Sequence, residues 1–224
     1  MKAGEHPYLI VTGLAGLAAA LLVGVGEFLL HFDPLARFSE SPYAFMLAAD
    51  DQRQSIGHFF ASFGAPLYVL GCAHIYLMLK PANQKLALIT ALVAAYGFII
   101  GAQWISSRAS IGAIIHLQQQ GMALDNLVEL YQFRYENLLS VIRVTTLSLS
   151  VVFIALALSG RSHYQKWHAL FNPITLLLAC FALFVLYQDL GKYLMPIALN
   201  VAFGVFYLLS TIQAYKITQS GVKP

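Results

Sequence analysis

The sequence predicts an all-α, polytopic membrane protein with six transmembrane helices and an extended outer helical hairpin between helices 3 and 4. Three observations carry that prediction. Of the 224 residues, 59% are hydrophobic and only 10% charged, against about 45–50% and about 25% in an ordinary soluble domain. Six stretches stay apolar over about 20 residues, the length that crosses a hydrocarbon core about 30 Å thick. Lys and Arg are divided unevenly between the connections. A soluble fold with this composition leaves a large exposed apolar patch, and residues 1–224 suffice for a single membrane domain.

The first predicted span runs from Tyr8 to Phe32. It is too long and too rich in glycine for a cleaved leader, no small-residue cleavage site precedes Glu27, and it is expected to be retained. On it Gly13, Gly16, Ala20, Gly24, Glu27 and His31 recur at steps of three and four. They form one helical stripe, so the polar pair at its outer end faces protein rather than lipid. The connection from Asp33 to Ile56 holds Pro34, Pro42 and an Ala-Phe-Met-Leu-Ala-Ala stretch at 44–49, expected to form a short interfacial helix before Asp50. The second span covers Gly57 to Leu79 and the third Leu86 to Ile105. Gly97 and Gly101 give the third a GxxxG pattern that suits an internal helix contact or a homodimer.

From Ser106 to Asn137 the chain stays helix-compatible and free of proline, breaking only around Gly121 to Asp125. Gly121 is expected to end one helix and Asp125 to cap the next. Spans three and four then continue outward as a hairpin of about a dozen residues per arm, about 20 Å long. It is expected to cover the outer face as a lid, or else only to stiffen the outer surface or pack against a twin subunit. The remaining spans run from Leu138 to Ser159, Trp167 to Tyr187 and Tyr193 to Tyr215. Pro66, Pro173 and Pro196 interrupt spans two, five and six and are expected to kink them. No internal repeat is visible, which weighs against a repeat-built transporter.

Orientation follows from cations near the span ends. Lys2, Lys80, Lys85, Arg161, Lys166, Lys216 and Lys223 gather on one side with almost no acids, whereas Asp33, Glu40, Asp50, Asp51, Asp125, Glu129, Glu136 and Asp189 gather on the other, mixed with Arg37, Arg53, Arg108, Arg134 and Lys192. Both termini are expected to be cytoplasmic, in a plasma or inner membrane. The net charge of +3 reflects this bias and gives no reason to expect a nucleic-acid partner. Cys72 and Cys180 both fall within spans and read as packing residues.

Ionisable groups inside a hydrocarbon slab mark sites by default. Glu27 and His31 stand one turn apart, and His58 opens the second span at nearly the same depth. Two imidazoles and a carboxylate are the minimum for an open zinc or non-haem iron site. Glu27, Asp33 or Asp189 is the candidate carboxylate for such a divalent metal. The same groups suit acid–base chemistry or a plain polar contact. Arg143 lies within the fourth span in line with Glu136 and Ser140 and needs an anion, either Glu27 or an acidic ligand group. Gln103, Tyr187, Asp189 and Asn200 fall toward the outer half and are expected to line the same pocket, between spans one, two, four and six. His74, His163 and His168 read as packing or interfacial residues. A pair of haems between His58 and His74 fails on helical phase, since sixteen steps of 100° leave the rings about 160° apart. A single outer haem between His31 and His58 stays open.

The sequence therefore favours a membrane enzyme acting on a lipid or apolar small molecule through Glu27, His31, His58 and Arg143, among membrane lipids. A haem-binding redox protein and a proton-linked transporter or ligand sensor are the alternatives.

Overall fold

Small residues decide how closely the first two helices approach. The computed structural model describes residues 6–37 and 43–220. In it Gly26 of α1 (His6–His31) meets Gly57 and Ala61 of α2 (Asp51–Leu79) so closely that a Cβ on Gly26 lies 2.6 Å from the Gly57 carbonyl. The predicted stripe takes the other face of α1. Gly13 and Gly16 sit beneath Thr211 and Tyr207 of α7 (Ala198–Ser220), and Gly24 lies beside Asn200. Helix α1 is thus wedged between α2 and α7, with α3 (Gln84–Gln119) against α2 and α4 (Asp125–Leu158) against α3. One core of buried residues runs through these helices, with Ala19, Ile75, Met78, Leu149, Phe153 and Phe206 at its heart.

Every regular element among the described residues is helical. Five stretches are long and apolar enough to cross a membrane: Tyr8–His31, Asp51–Leu79, Gln84–Gln119, Asp125–Leu158 and Gln188–Gln219. This architecture is consistent with a multi-pass membrane protein. The expected fifth span differs. Lys166–Phe171 forms a 3₁₀ turn, and α5 (Pro173–Leu186) has only 14 residues, about 21 Å at the α-helical rise. The reason is local: the Asn172 side chain accepts hydrogen bonds from Ile174 and Thr175 at 3.1 Å and ends the turn. Pro173 then starts α5, where its missing N–H costs nothing, instead of kinking it. Pro196 likewise divides the sixth stretch, in a 3₁₀ turn (Met195–Ile197) between α6 (Gln188–Leu194) and α7. Pro66 does lie inside α2.

Helix α2 starts at Asp51 rather than Gly57 because Asp50 caps it, accepting from the Arg53 amide at 2.8 Å. The 44–49 stretch is a 3₁₀ helix over Ala44–Ala48, whose Met46 packs with Ile111, Ile115 and Tyr135 in a second, smaller core. Helices α3 and α4 hold 36 and 34 residues, about 54 and 51 Å, both longer than a hydrocarbon core of about 30 Å. Gly121 between them has φ +95°, the left-handed conformation that suits glycine. Asp125 is not the cap that the sequence suggests. It is the first residue of α4 and accepts from Gln118 Nε2 at 2.5 Å. Gly97 faces Thr145 of α4, so half of the GxxxG pattern serves a contact within the chain.

His74 is fully buried and satisfied, as a packing histidine should be. Its Nδ1 meets the Leu9 carbonyl at 2.8 Å and its Nε2 the Ser210 hydroxyl at 2.6 Å, and Ser210 also bonds the Tyr164 hydroxyl at 2.7 Å. The two cysteines are free and buried. Lys2, Glu40, Pro42 and Lys223 lie outside the described residues.

Candidate functional site

At the other end of the bundle a cavity of about 480 Å³ opens between α1, α2, α3, α4, α5 and α7. Its wall is mostly apolar, with Val23, Phe98, Ile142, Leu149, Phe181 and Phe203 among the lining residues. Gly101 adds no side chain, and a Cβ built there meets nothing within 4 Å. Polar groups gather at one end.

Glu27 and His31 stand there, 6% and 3% exposed. Helical spacing sets them on one stripe of α1, and Glu27 Oε1 lies 3.8 Å from His31 Nδ1. That is beyond hydrogen-bond distance but within electrostatic reach. The other carboxylate oxygen accepts from Asn200 Nδ2 at 2.5 Å, and Asn200 Oδ1 accepts from the Tyr68 hydroxyl at 2.8 Å. Tyr68 is itself fixed by stacking on Phe98, with centroids 4.1 Å apart and planes 3° from parallel. A chain across α2, α7 and α1 therefore orients one face of the carboxylate and leaves Oε1 toward the imidazole. Such an arrangement can hold or pass a proton. His31 Nε2 has no hydrogen-bond partner among the described residues.

The buried cation of this site is Arg108. Arg108 is 4% exposed and donates to the Tyr135 hydroxyl. Its guanidinium carbon lies 4.6 Å from the ring centroids of both Trp104 and Tyr135 and 5.8 Å from that of Phe45. His31 packs edge-on against Phe45 and Trp104, at 5.8 and 6.4 Å. Arg143 reaches the cavity wall but its side chain is 64% exposed, and its anion is Glu136 at 3.7 Å rather than Glu27. An ion pair this exposed contributes little.

The other expected site residues divide plainly. Asn200 lines the cavity and bonds Glu27. His58 does not line it: the ring is half-buried beside Phe59, with Nδ1 unpartnered. Gln103, Glu136, Ser140, Tyr187 and Asp189 are exposed and also stand outside the lining. Ser140 bonds the Glu136 carbonyl of its own helix at 2.8 Å, and Asp189 pairs with Lys192 at 3.7 Å. Asp33 is engaged as well, accepting from Arg37 Nε at 2.6 Å and from the Leu35 and Arg37 amides. Burial pushes its carboxyl up, but these bonds prevail and hold it below its ordinary value.

Glu27, His31 and His58 accordingly do not assemble a metal site. Among the described residues no three His, Cys, Asp or Glu side chains stand close enough to hold an ion. A haem between His31 and His58 does not fit either, since only His31 faces the cavity. Phase carried the signal for the residue that sequence reasoning passed over. Gly97, Gly101, Trp104 and Arg108 recur at steps of four and three, but Arg108 lies past the apolar run, where hydropathy groups it with the outer connection.

A family described as a family of unknown function (DUF6796) matches residues 8–217. No curated protein and no solved structure matches the chain.

Proposed function

The chain belongs to this family of unknown function (DUF6796), whose description supplies no activity, and from the geometry we propose that it is a membrane protein that takes a lipid or apolar small molecule into its cavity and performs acid–base chemistry on the polar end. One observation carries this: a cavity of about 480 Å³ with a mostly apolar wall has Glu27, His31 and Arg108 buried together at one end. Ligand sites of about 300–1,000 Å³ have this character, apolar walls with a few convergent polar groups. Glu27, oriented by Asn200 and Tyr68, is the proton acceptor, and His31 its partner one turn away. The proposal requires no metal.

In this reading the protein lies in a plasma or inner membrane with both termini cytoplasmic, α5 completes six passes with the 3₁₀ turn before it, and the ends of α3 and α4 joined at Gly121 stand outside the bilayer. The cavity then lies in the outer half.

Gly101→Leu tests the proposal because it fills the cavity from a position with free space. Lipids and small apolar molecules carried through detergent purification are identified by mass spectrometry for wild type and variant. We expect one class of amphiphile to accompany the wild type and to fall at least tenfold in a variant of unchanged melting temperature, the scale set by blocking a buried pocket. Equal amounts in both proteins refute the proposal.

A further inference from the structure

Arg108 is a buried cation whose charge is only partly offset, since Glu27 on the same cavity interacts with it at a distance. Among the described residues no carboxylate lies within ion-pair distance of it, and its one hydrogen bond goes to the neutral Tyr135 hydroxyl. Ring faces of Trp104, Tyr135 and Phe45 attract the guanidinium, yet a π-face does not neutralise a charge.

Among the described residues three buried polar atoms on this same cavity have no hydrogen-bond partner: Arg108 Nε, Trp104 Nε1 and His31 Nε2, the last on an imidazole that the Pro196 carbonyl also approaches. The first two can only donate. Native proteins leave few buried donors unsatisfied, and several on one cavity mark the place where a bound group supplies the acceptors. That group must offer oxygen lone pairs, and next to Arg108 it is best matched by a negative charge. The rest of the wall is mostly hydrocarbon, with Asn200, Thr145, Thr146 and Arg143 among its other polar residues, so the charge sits at the end of an apolar chain.

We propose that the polar end of the cavity is a receptor for the oxyanion of an acidic amphiphile, a carboxylate or phosphate on a hydrocarbon chain. Arg108 and Trp104 donate to the oxyanion, and His31 Nε2 is the third contact. The proposal rests on the reading above that the cavity holds an amphiphile, and it adds the charge and chemistry of the head. Among the described residues Glu27 is the cavity group that opposes an anion, so neutralising it strengthens binding.

Trp104 reports directly. The chain has two tryptophans, so in a Trp167→Phe background Trp104 is the only fluorophore of its kind, and bromine on a bound chain quenches it. The full-length protein in detergent at mildly alkaline pH is titrated with dibrominated fatty acid, dibrominated phosphatidic acid and the dibrominated fatty alcohol. Saturable quenching by one or both acids at about tenfold or more lower concentration than by the alcohol is the expected result, and which acid is tighter separates a free fatty acid from a membrane phospholipid as the source. Arg108→Gln should bring acid and alcohol together, Arg108→Lys should keep part of the difference, and Glu27→Gln should tighten acid binding.

If the alcohol quenches as well as both acids in the Trp167→Phe protein, the oxyanion receptor is overturned while the amphiphile reading stands. If none of the three quenches saturably, both fall. Should Arg108→Gln fail to fold, the comparison of acid with alcohol on the Trp167→Phe protein still decides.

Discussion

Removing one hydroxyl isolates what the polar chain at Glu27 contributes. Tyr68→Phe keeps the stacking on Phe98 but leaves Asn200 Oδ1 without its donor. A net loss of about 1 kcal/mol is expected, typical of one hydrogen bond, read as a lower melting temperature in detergent. An unchanged melting temperature counts against an ordering role. Asp33 gives a pH signature at the same scale. Because its carboxyl is held below its ordinary value of 3.8, the ionised form stabilises the fold above that value. This contribution is lost as pH falls through the depressed folded value. The melting-temperature gap between wild type and Asp33→Asn should be constant from neutral pH down to about pH 4 and shrink below it; a gap that widens in acid contradicts this assignment. Single residues were legible in the sequence where helical phase and depth agreed. Glu27, His31 and Asn200 meet because the small-residue stripe sets the face of α1 and α7 packs on it. Arg143 lies deep in an apolar run and reaches the cavity wall, but depth along an axis does not say which way a side chain points, and its ion partner is Glu136 rather than Glu27. Tyr68, Trp104 and Tyr135 gave no charge signal and read as ordinary membrane aromatics.

Among the elements, glycines separate contact from cavity. On Gly26 even a single methyl collides with the backbone of α2, since its Cβ meets both the Gly57 oxygen and the Ala61 nitrogen at 2.6 Å. Gly26→Ala should destabilise by about 1–3 kcal/mol, as overpacking does. Gly101→Ala enters open space and should stabilise by about 0.5–1 kcal/mol through helix propensity. Thermal unfolding of the two variants side by side checks the assignment, and equal effects contradict it. Apolar run length located the four long helices α1 to α4 but overstated the fifth. A local signal explains why: Asn172 and Pro173 form a cap and first turn, a pattern that hydropathy averaging erases.

For the molecule as a whole, the distribution of cations argues an orientation that labelling can decide. Met122, at the joined ends of α3 and α4, and Arg161, between α4 and α5, are both exposed, whereas the native cysteines are buried. With both termini cytoplasmic, a membrane-impermeant maleimide added to intact cells should label Met122→Cys and spare Arg161→Cys until the cells are opened. The reverse pattern inverts the topology. Helical class was readable from composition together with apolar runs of about 20 residues, because a single segment that long can satisfy its own backbone in lipid only as a helix. The partnering of polar groups was not, because it depends on rotations of six helices that no run of apolar residues encodes.

The Ser210 hydroxyl acts as a rivet. It fastens His74 of α2 to α7 and to the Tyr164 connection, and His74 in turn holds the Leu9 carbonyl of α1. Three helices are pinned at that extremity, whereas at the opposite mouth the chain is interrupted at Pro196 and α5 is short. On the proposed reading the bundle would open like tongs about this pivot. Ser210→Ala should then speed the loading and release of a brominated acid, followed by the time course of Trp104 quenching, although that guest never touches residue 210; unchanged rates contradict the pivot.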